Sequence, residues 1–384
     1  MIGQECDWFA HAATTPQAAR AQVNHQLAVY TETARDCART HLSEETSVCV
    51  SGSLARGEPS CRYRDGGYLL GSDVDLVAVL DHDDDHGVLC VEKFLCSVRE
   101  RHPEIDTTVF VLHRPNLRRV SGRFGADLHH AATQPLSGRP LTGVAAPRIS
   151  EREALEGITH QLATIYCPDS PAGTNPWQSK TALEALRAVA ARDLPGPQRY
   201  SALADDPAVC EVADPMLVAR LVRARELNTA SPIAAHHCYE LVVAAMCCLF
   251  GVAIGHRELI AALHTPRTGM HVLDGFQHAV TAATIILYGP SRLRQSAASA
   301  LHLIVTAIDR DTLPTSRDAV DALVRISPVE FSRGIDHPNH VLHQHLQALR
   351  RDYYSWLGPH NFGARPVANY RGPAPDTRIQ EVDA

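Results

Sequence analysis

The chain has 384 residues, of which 45% are hydrophobic and 21% charged, and its formal net charge is −7. That length exceeds what one core usually serves, and the interspersed charges argue against wholesale disorder, so two globular domains are expected. The acidic balance disfavours a protein that grips long nucleic acid by its backbone, and an aromatic content of 5% offers no base-stacking platform for single strands.

The N-terminal stretch MIGQECDWFAHAATTPQ has no basic region leading into an apolar core, so no signal peptide is expected and the predicted location is cytoplasmic. Residues 16–43 carry Ala19, Val23, Leu27 and Tyr30 at helical spacing and predict a helix. A short strand-like run, Thr46 to Val50, then stops at Ser51-Gly52-Ser53, a turn that can lead into a helix with its N–H groups turned toward an anion. Residues 58–71 are polar and Gly-rich and read as a loop. Ser72 to Leu80, SDVDLVAVL, predicts a buried strand. Asp81 to Asp85 suits a helix start, a helix runs on to about Arg101, and Glu104 to Leu112 predicts a third strand.

Beyond residue 150 the pattern is helical, with helices expected at 150–166, 177–192, 214–229, 232–253, 270–288, 292–309 and 338–357. A linker rich in Pro, Gly and Asp is expected at 194–212. The apolar run Leu241 to Gly255 is too short for an ordinary membrane span and reads as a buried helix, so no membrane partner is expected. The 11 cysteines include no CxxC pair and read as reduced, small apolar residues. The domains implied are 1–149, a small α/β unit; 150–358, a helical unit; and 359–384, a flexible tail.

Asp73 and Asp75 lie two apart on a predicted strand and therefore share one face, while Val74 and Leu76 pack the other way. Two carboxylates side by side on an apolar strand need a counter-charge. Magnesium supplies one, since it takes one or two carboxylates together with substrate phosphates. Asp106, on the next strand, is the third candidate ligand. Three carboxylates can hold two ions about 3.5–4 Å apart for in-line phosphoryl displacement. Gly52 lets backbone approach a phosphate closely, the Ser53 hydroxyl can donate to it, and Arg56 lies one turn later. Other candidates are weaker. No Gly-Lys-Ser/Thr follows the glycine turn, which excludes a P-loop. His337, His340 and His343 fall three apart, a spacing that could bind a metal on a helix, but together with His345 they read first as a solvated helix face, and His236-His237 read as a helix start ahead of a cleft lining.

Val50-Ser-Gly-Ser-Leu-Ala-Arg-Gly57 followed by Gly71-Ser-Asp-Val-Asp-Leu-Val77 resembles the signature of the DNA polymerase β-like nucleotidyltransferase superfamily, and looks most like its minimal and antibiotic-modifying members. Ser137-Gly-Arg-Pro-Leu-Thr-Gly143 is similar to the segment that closes that domain. The resemblance covers about residues 45–145. It implies an α+β fold, a small mixed sheet with helices on one side, followed by an all-α domain. It further implies two Mg2+ ions and a nucleoside triphosphate donor. Asp73, Asp75 and Asp106 match the catalytic and metal-binding carboxylates, and Gly52, Ser53 and Ser72 the nucleotide-binding segment. Trp177-Gln-Ser-Lys180 with Arg199-Tyr200-Ser201 is similar in placing to helical-domain positions that touch the triphosphate, which adds Lys180 and Tyr200. One departure is the 19 residues between Ser53 and Asp73, longer than the short family pattern; this excess should overhang the triphosphate site, where Arg62 and Arg64 could contact phosphates, although arginines in a loop more often do not. The acceptor implied is a small-molecule hydroxyl. Transfer to a nucleotide, an RNA end or a protein side chain, and a non-catalytic regulatory or antitoxin module, are the alternatives.

Overall fold

The structure is a computed structural model that describes residues 7–81, 85–120, 122–144, 149–164, 176–191, 198–266, 270, 272–307 and 365–366. Helix α1 (Gln17–His41) buries Ala19, Val23, Leu27, Tyr30, Ala34 and Cys37, a stripe at three- and four-residue spacing. The strands β1 (Ser47–Val50), β4 (Val74–Leu80), β5 (Thr107–His113) and the two-residue β6 (Arg365–Pro366) form one sheet in that order. β1 runs antiparallel to β4, β4 parallel to β5, and β5 antiparallel to β6. The sheet is therefore mixed, as expected. The parallel step needs a crossover, which α3 (Asp85–Arg101) provides.

Strand parity divides the sheet's two faces. Val74, Leu76, Ala78 and Leu80 join Val109 and Val111 under α1 and α3. The alternate residues Val77, Val79, Cys49 and Leu112 pack on the opposite side with Leu117 and Val120 and with Leu128 and Ala132. Leu117 belongs to a 3-10 turn (Arg114–Arg119), and Leu128 to α4 (Gly122–Ala131). Both faces are thus covered. The expectation of helices on one side only is corrected by α4, which packs Leu128 against the face of the sheet opposite α1 and α3.

The segment read as a loop at 58–71 is a hairpin of β2 (Cys61–Arg64) and β3 (Gly67–Leu70), antiparallel to each other. Its turn residues Asp65 and Gly66 both have positive φ, 53° and 83°, the conformation of a two-residue type I′ connection for which Asp-Gly is a preferred sequence. Polarity hid a strand signal here. The hairpin lies along α1, where the Gln22 and Gln26 side-chain carbonyls accept from the N–H groups of Tyr68 and Leu70 at 2.7 and 3.0 Å. Arg64 pairs with its neighbour Asp65 at 3.2 Å in solvent. Ser137 and Gly138 cover the edge of β1, with Val48 N–H donating to Ser137 at 2.9 Å.

The later part of the chain forms α5 (Glu151–Thr164), α6 (Pro176–Ala190), α7 (Pro207–Cys210), α8 (Pro215–Glu226), α9 (Ala235–Leu249), α10 (His256–Leu263), α11 (Val272–Tyr288) and α12 (Ser291–Ala307). Six of the expected helices are present, α10 is additional, and the linker at 194–212 holds a 3-10 turn (Tyr200–Asp205) and α7. The expected helix at 338–357 and the histidines at 337–345 lie outside the described residues. In the expected tail, Arg365 and Pro366 pair with Val111 and Phe110 of β5. These helices enclose a core of their own, from Ile149 to Ile304, which Ala126 of α4 also joins. The run from Leu241 is the buried body of α9. No helix among the described residues is long and apolar enough to cross a membrane.

At the centre of this core, α6 is buried nearly all round, which fits a helix packed by α5, α8 and α9. Of residues 178–191, Lys180 alone is not buried.

Candidate active site

The Gly-Ser turn and the Asp-x-Asp strand meet through the backbone. β1 and β4 pair with Val50 opposite Leu76, and Ser51 N–H donates to the Asp75 carbonyl at 2.7 Å. The chain then turns sharply at Gly52, with φ at +62°, into the four-residue helix α2 (Gly52–Ala55). A Cβ on Gly52 would stand 2.6 Å from Asp75 Oδ2. Glycine is thus required twice over, for its backbone angle and for the space the carboxylate occupies. Replacing Gly52 with alanine is expected to destabilise the protein by roughly 1–3 kcal/mol and to lower any activity at this site about 100-fold, since displaced reacting groups lose that much. Circular dichroism and turnover on the G52A variant would check this; unchanged turnover would contradict it.

Asp75 points to the face that carries Val77 and Val79, as parity requires, and Thr108, its register partner on β5, donates to Asp75 Oδ1 at 2.6 Å. Asp73 is exposed at the strand's entrance and Asp75 is partly buried. The Asp75 carboxyl is pushed up to about 6, first by burial and then by the Asp73 charge, while Thr108 and Lys180 act in the opposite direction. Lys180 therefore brings positive charge from α6 to the strand carboxylates.

Asp106 immediately precedes β5; its carbonyl accepts from Val74 N–H at 2.7 Å and its side chain is exposed. Among the described residues no three His, Cys, Asp or Glu side chains converge closely enough to form a metal-ligand group. The three-carboxylate, two-ion centre expected from sequence is thus not assembled by side chains alone. What the strands do bring together is the pair Asp73 and Asp75, with Asp106 across the ladder. Two carboxylates completed by phosphate oxygens are an ordinary magnesium set. The raised Asp75 carboxyl and the close Gly52 cradle both fit a cation with a phosphate beside it.

Three expected nucleotide contacts have partners within the protein. Arg56 is buried, donates through Nη1 to Asp127 Oδ2 at 2.6 Å, and lies 3.6 Å through Nε from Glu58. Burial alone would pull its pKa down, but Asp127, Tyr200, Glu58 and Glu184 together drive it upward. Tyr200 is also buried. Its hydroxyl donates to Glu184, and its ring is flanked by the guanidinium groups of Arg56, Arg187 and Arg225 at 5.9, 5.1 and 5.1 Å. The Ser72 hydroxyl accepts from Ser60 N–H at 2.7 Å, fixing the base of the hairpin. Ser53 lies in the first turn of α2 and is partly exposed.

The cluster around Tyr200 joins the helical part to the sheet. Arg225 donates to the Glu58 carbonyl, and Ser201 N–H to Glu58 Oε1 at 3.1 Å. Thr14 N–H and the Thr15 hydroxyl reach Glu226 Oε2 at 2.9 and 3.1 Å. Sequence reasoning missed Asp127, Glu58 and Arg225 because isolated charges on helices and loops carry no spacing signal. It also missed Thr108, although the parity that singled out Asp106 and Asp75 points to it as well. His236 and His237 open α9 with their rings 3.9 Å apart, as expected of a helix start.

No protein-family model matches the chain, and no curated protein or solved structure is significantly similar to it.

Proposed function

We propose that the chain is a magnesium-dependent nucleotidyltransferase that moves a nucleoside monophosphate from a nucleoside triphosphate to a hydroxyl of a small-molecule acceptor, releasing pyrophosphate. The observation that carries this reading is the contact between Gly52 and Asp75: a phosphate-type turn and one carboxylate of the Asp-x-Asp strand are built against each other, with no room for a side chain between them. The motif resemblance supports the same chemistry.

In this reading Asp73 and Asp75 would present oxygens to magnesium, which when bound draws charge from the leaving pyrophosphate and favours the ionised form of the attacking hydroxyl. The Gly52-Ser53 turn donates N–H and hydroxyl groups to the β- and γ-phosphates. Lys180 adds positive charge from the helical side. Asp106, exposed at the mouth, accepts the proton of the acceptor hydroxyl as its oxygen bonds to the α-phosphorus and the bond to pyrophosphate breaks. The net charge of −7 favours a small acceptor over a polynucleotide. In thermal melting with each of the four common triphosphates, at least one is expected to raise Tm with magnesium present and to lose most of that effect without it, because a ligand that binds only the folded state stabilises it. Four flat profiles with magnesium would overturn the proposal.

A further inference from the structure

We infer that Thr108 is a positioning residue of this site, holding the Asp75 carboxylate in the one orientation that turns Oδ2 toward the phosphate turn. The inference rests on the reading of Asp73 and Asp75 as magnesium ligands. Its geometric basis is independent of the motif. Parallel pairing sets Thr108 directly beside Asp75, on the same face of the sheet. The Thr108 hydroxyl donates to Oδ1 at 2.6 Å, a short bond of the charge-assisted kind. Oδ2 is then left against Gly52, at the spot where an added Cβ would meet it at 2.6 Å. One carboxylate oxygen is thus held by β5, and the other is presented to whatever lies in the turn.

A carboxylate on a strand end rotates about its terminal torsion with little preference of its own. Two oxygens in distinct surroundings convert that freedom into a single pose. Partners of this kind, bonded to a metal ligand rather than to the metal, typically contribute 10–100-fold in metal affinity. Threonine suits the place on two counts: its branched Cβ fits a strand, and its hydroxyl offers the single donor that Oδ1 needs. Asp106 cannot do this work, because a carboxylate at that position could only accept.

The test is Mn2+ titration of the full-length protein, with free Mn2+ read by electron paramagnetic resonance, for the wild type, Thr108→Val and Thr108→Ser. Valine keeps the shape and removes the donor, whereas serine keeps the donor. Melting curves report whether each variant is folded. The expected result is Mn2+ binding weakened about 10-fold or more in Thr108→Val and restored to within a few-fold of the wild type in Thr108→Ser. Wild-type affinity in a folded Thr108→Val would overturn the positioning role and leave the metal site standing. Equal weakening in a folded Thr108→Ser would also overturn it, since loss of the donor would not be the cause. A wild type that binds no Mn2+, with or without a triphosphate, would overturn the metal reading and this inference together.

Discussion

Replacing Asp75 with asparagine is expected to make the metal-free protein melt at a temperature equal to or higher than that of the wild type, while abolishing its response to magnesium and triphosphate. The reason lies in the cost of the charge. Burial and the Asp73 carboxylate raise the Asp75 carboxyl to about 6, against about 3.9 in an unfolded chain. Between these values the folded state binds more protons than the unfolded one, so stability falls as pH rises through that window. Below about pH 4 the carboxyl is protonated in both states and the penalty is absent. Above about pH 6 it is fully present, on the order of 2 kcal/mol for this partly buried group. Asparagine removes the charge and retains an oxygen to accept from Thr108. The melting temperature of the metal-free wild type should therefore decline from pH 4 to pH 6 by more than that of Asp75→Asn. A steep loss of stability in Asp75→Asn at pH 7 would show that the carboxylate serves the fold rather than a ligand.

Asp127→Ala is expected to have the opposite signature and the largest effect on stability, a loss of about 3–5 kcal/mol. It would leave the Arg56 guanidinium buried with its nearest counter-charge gone. Glu58, 3.6 Å from Nε, softens the loss but is also committed to Ser201 N–H. Arg56 flanks Tyr200 together with Arg187 and Arg225, so the damage should reach the junction between sheet and helices. Thermal melting and limited proteolysis would register it. Removing the buried charges together, as in Arg56→Met with Asp127→Leu and Glu58→Gln, should recover most of the stability, because the expense lies in the orphaned charge. A triple variant no more stable than Asp127→Ala would contradict this account of the cluster.

These predictions separate two kinds of charged residue that look alike in the sequence. Arg56 follows the phosphate-type turn and reads as a phosphate ligand, yet α4 brings Asp127 to it and closes it off. Only the packing of a distant helix decides that, and no local pattern announces it. Tyr200 is a similar case: its placing relative to Trp177 and Lys180 suggested a ligand contact, but three arginines and Glu184 enclose it.

Asp73 and Asp75, by contrast, were legible because a strand's two-residue period fixes which side chains share a face. The strands themselves were legible from their β-branched and apolar runs, and the long helices from a regular apolar stripe. Lys180 was singled out by its placing alone; in the structure it is the one residue of 178–191 that is not buried. The hairpin at 61–70 escaped because its residues are polar, although Asp65-Gly66 carried the turn signal. The convergence of three carboxylates was over-read. Parity puts Asp106 on the correct face, but parity says nothing of how far a side chain at the mouth of a strand reaches inward.

The central claim is that the Asp-x-Asp strand and the Gly-Ser turn form one magnesium-dependent site for breaking the α–β bond of a triphosphate. Pyrophosphate release from the triphosphate that stabilises the protein, followed with magnesium in the wild type and in Asp73→Asn, tests it most directly. Asp73 is exposed and takes no part in the core, so this variant should fold as the wild type does. The account predicts magnesium-dependent pyrophosphate release by the wild type and a loss of at least about 100-fold in Asp73→Asn. Equal release by the two proteins would contradict it.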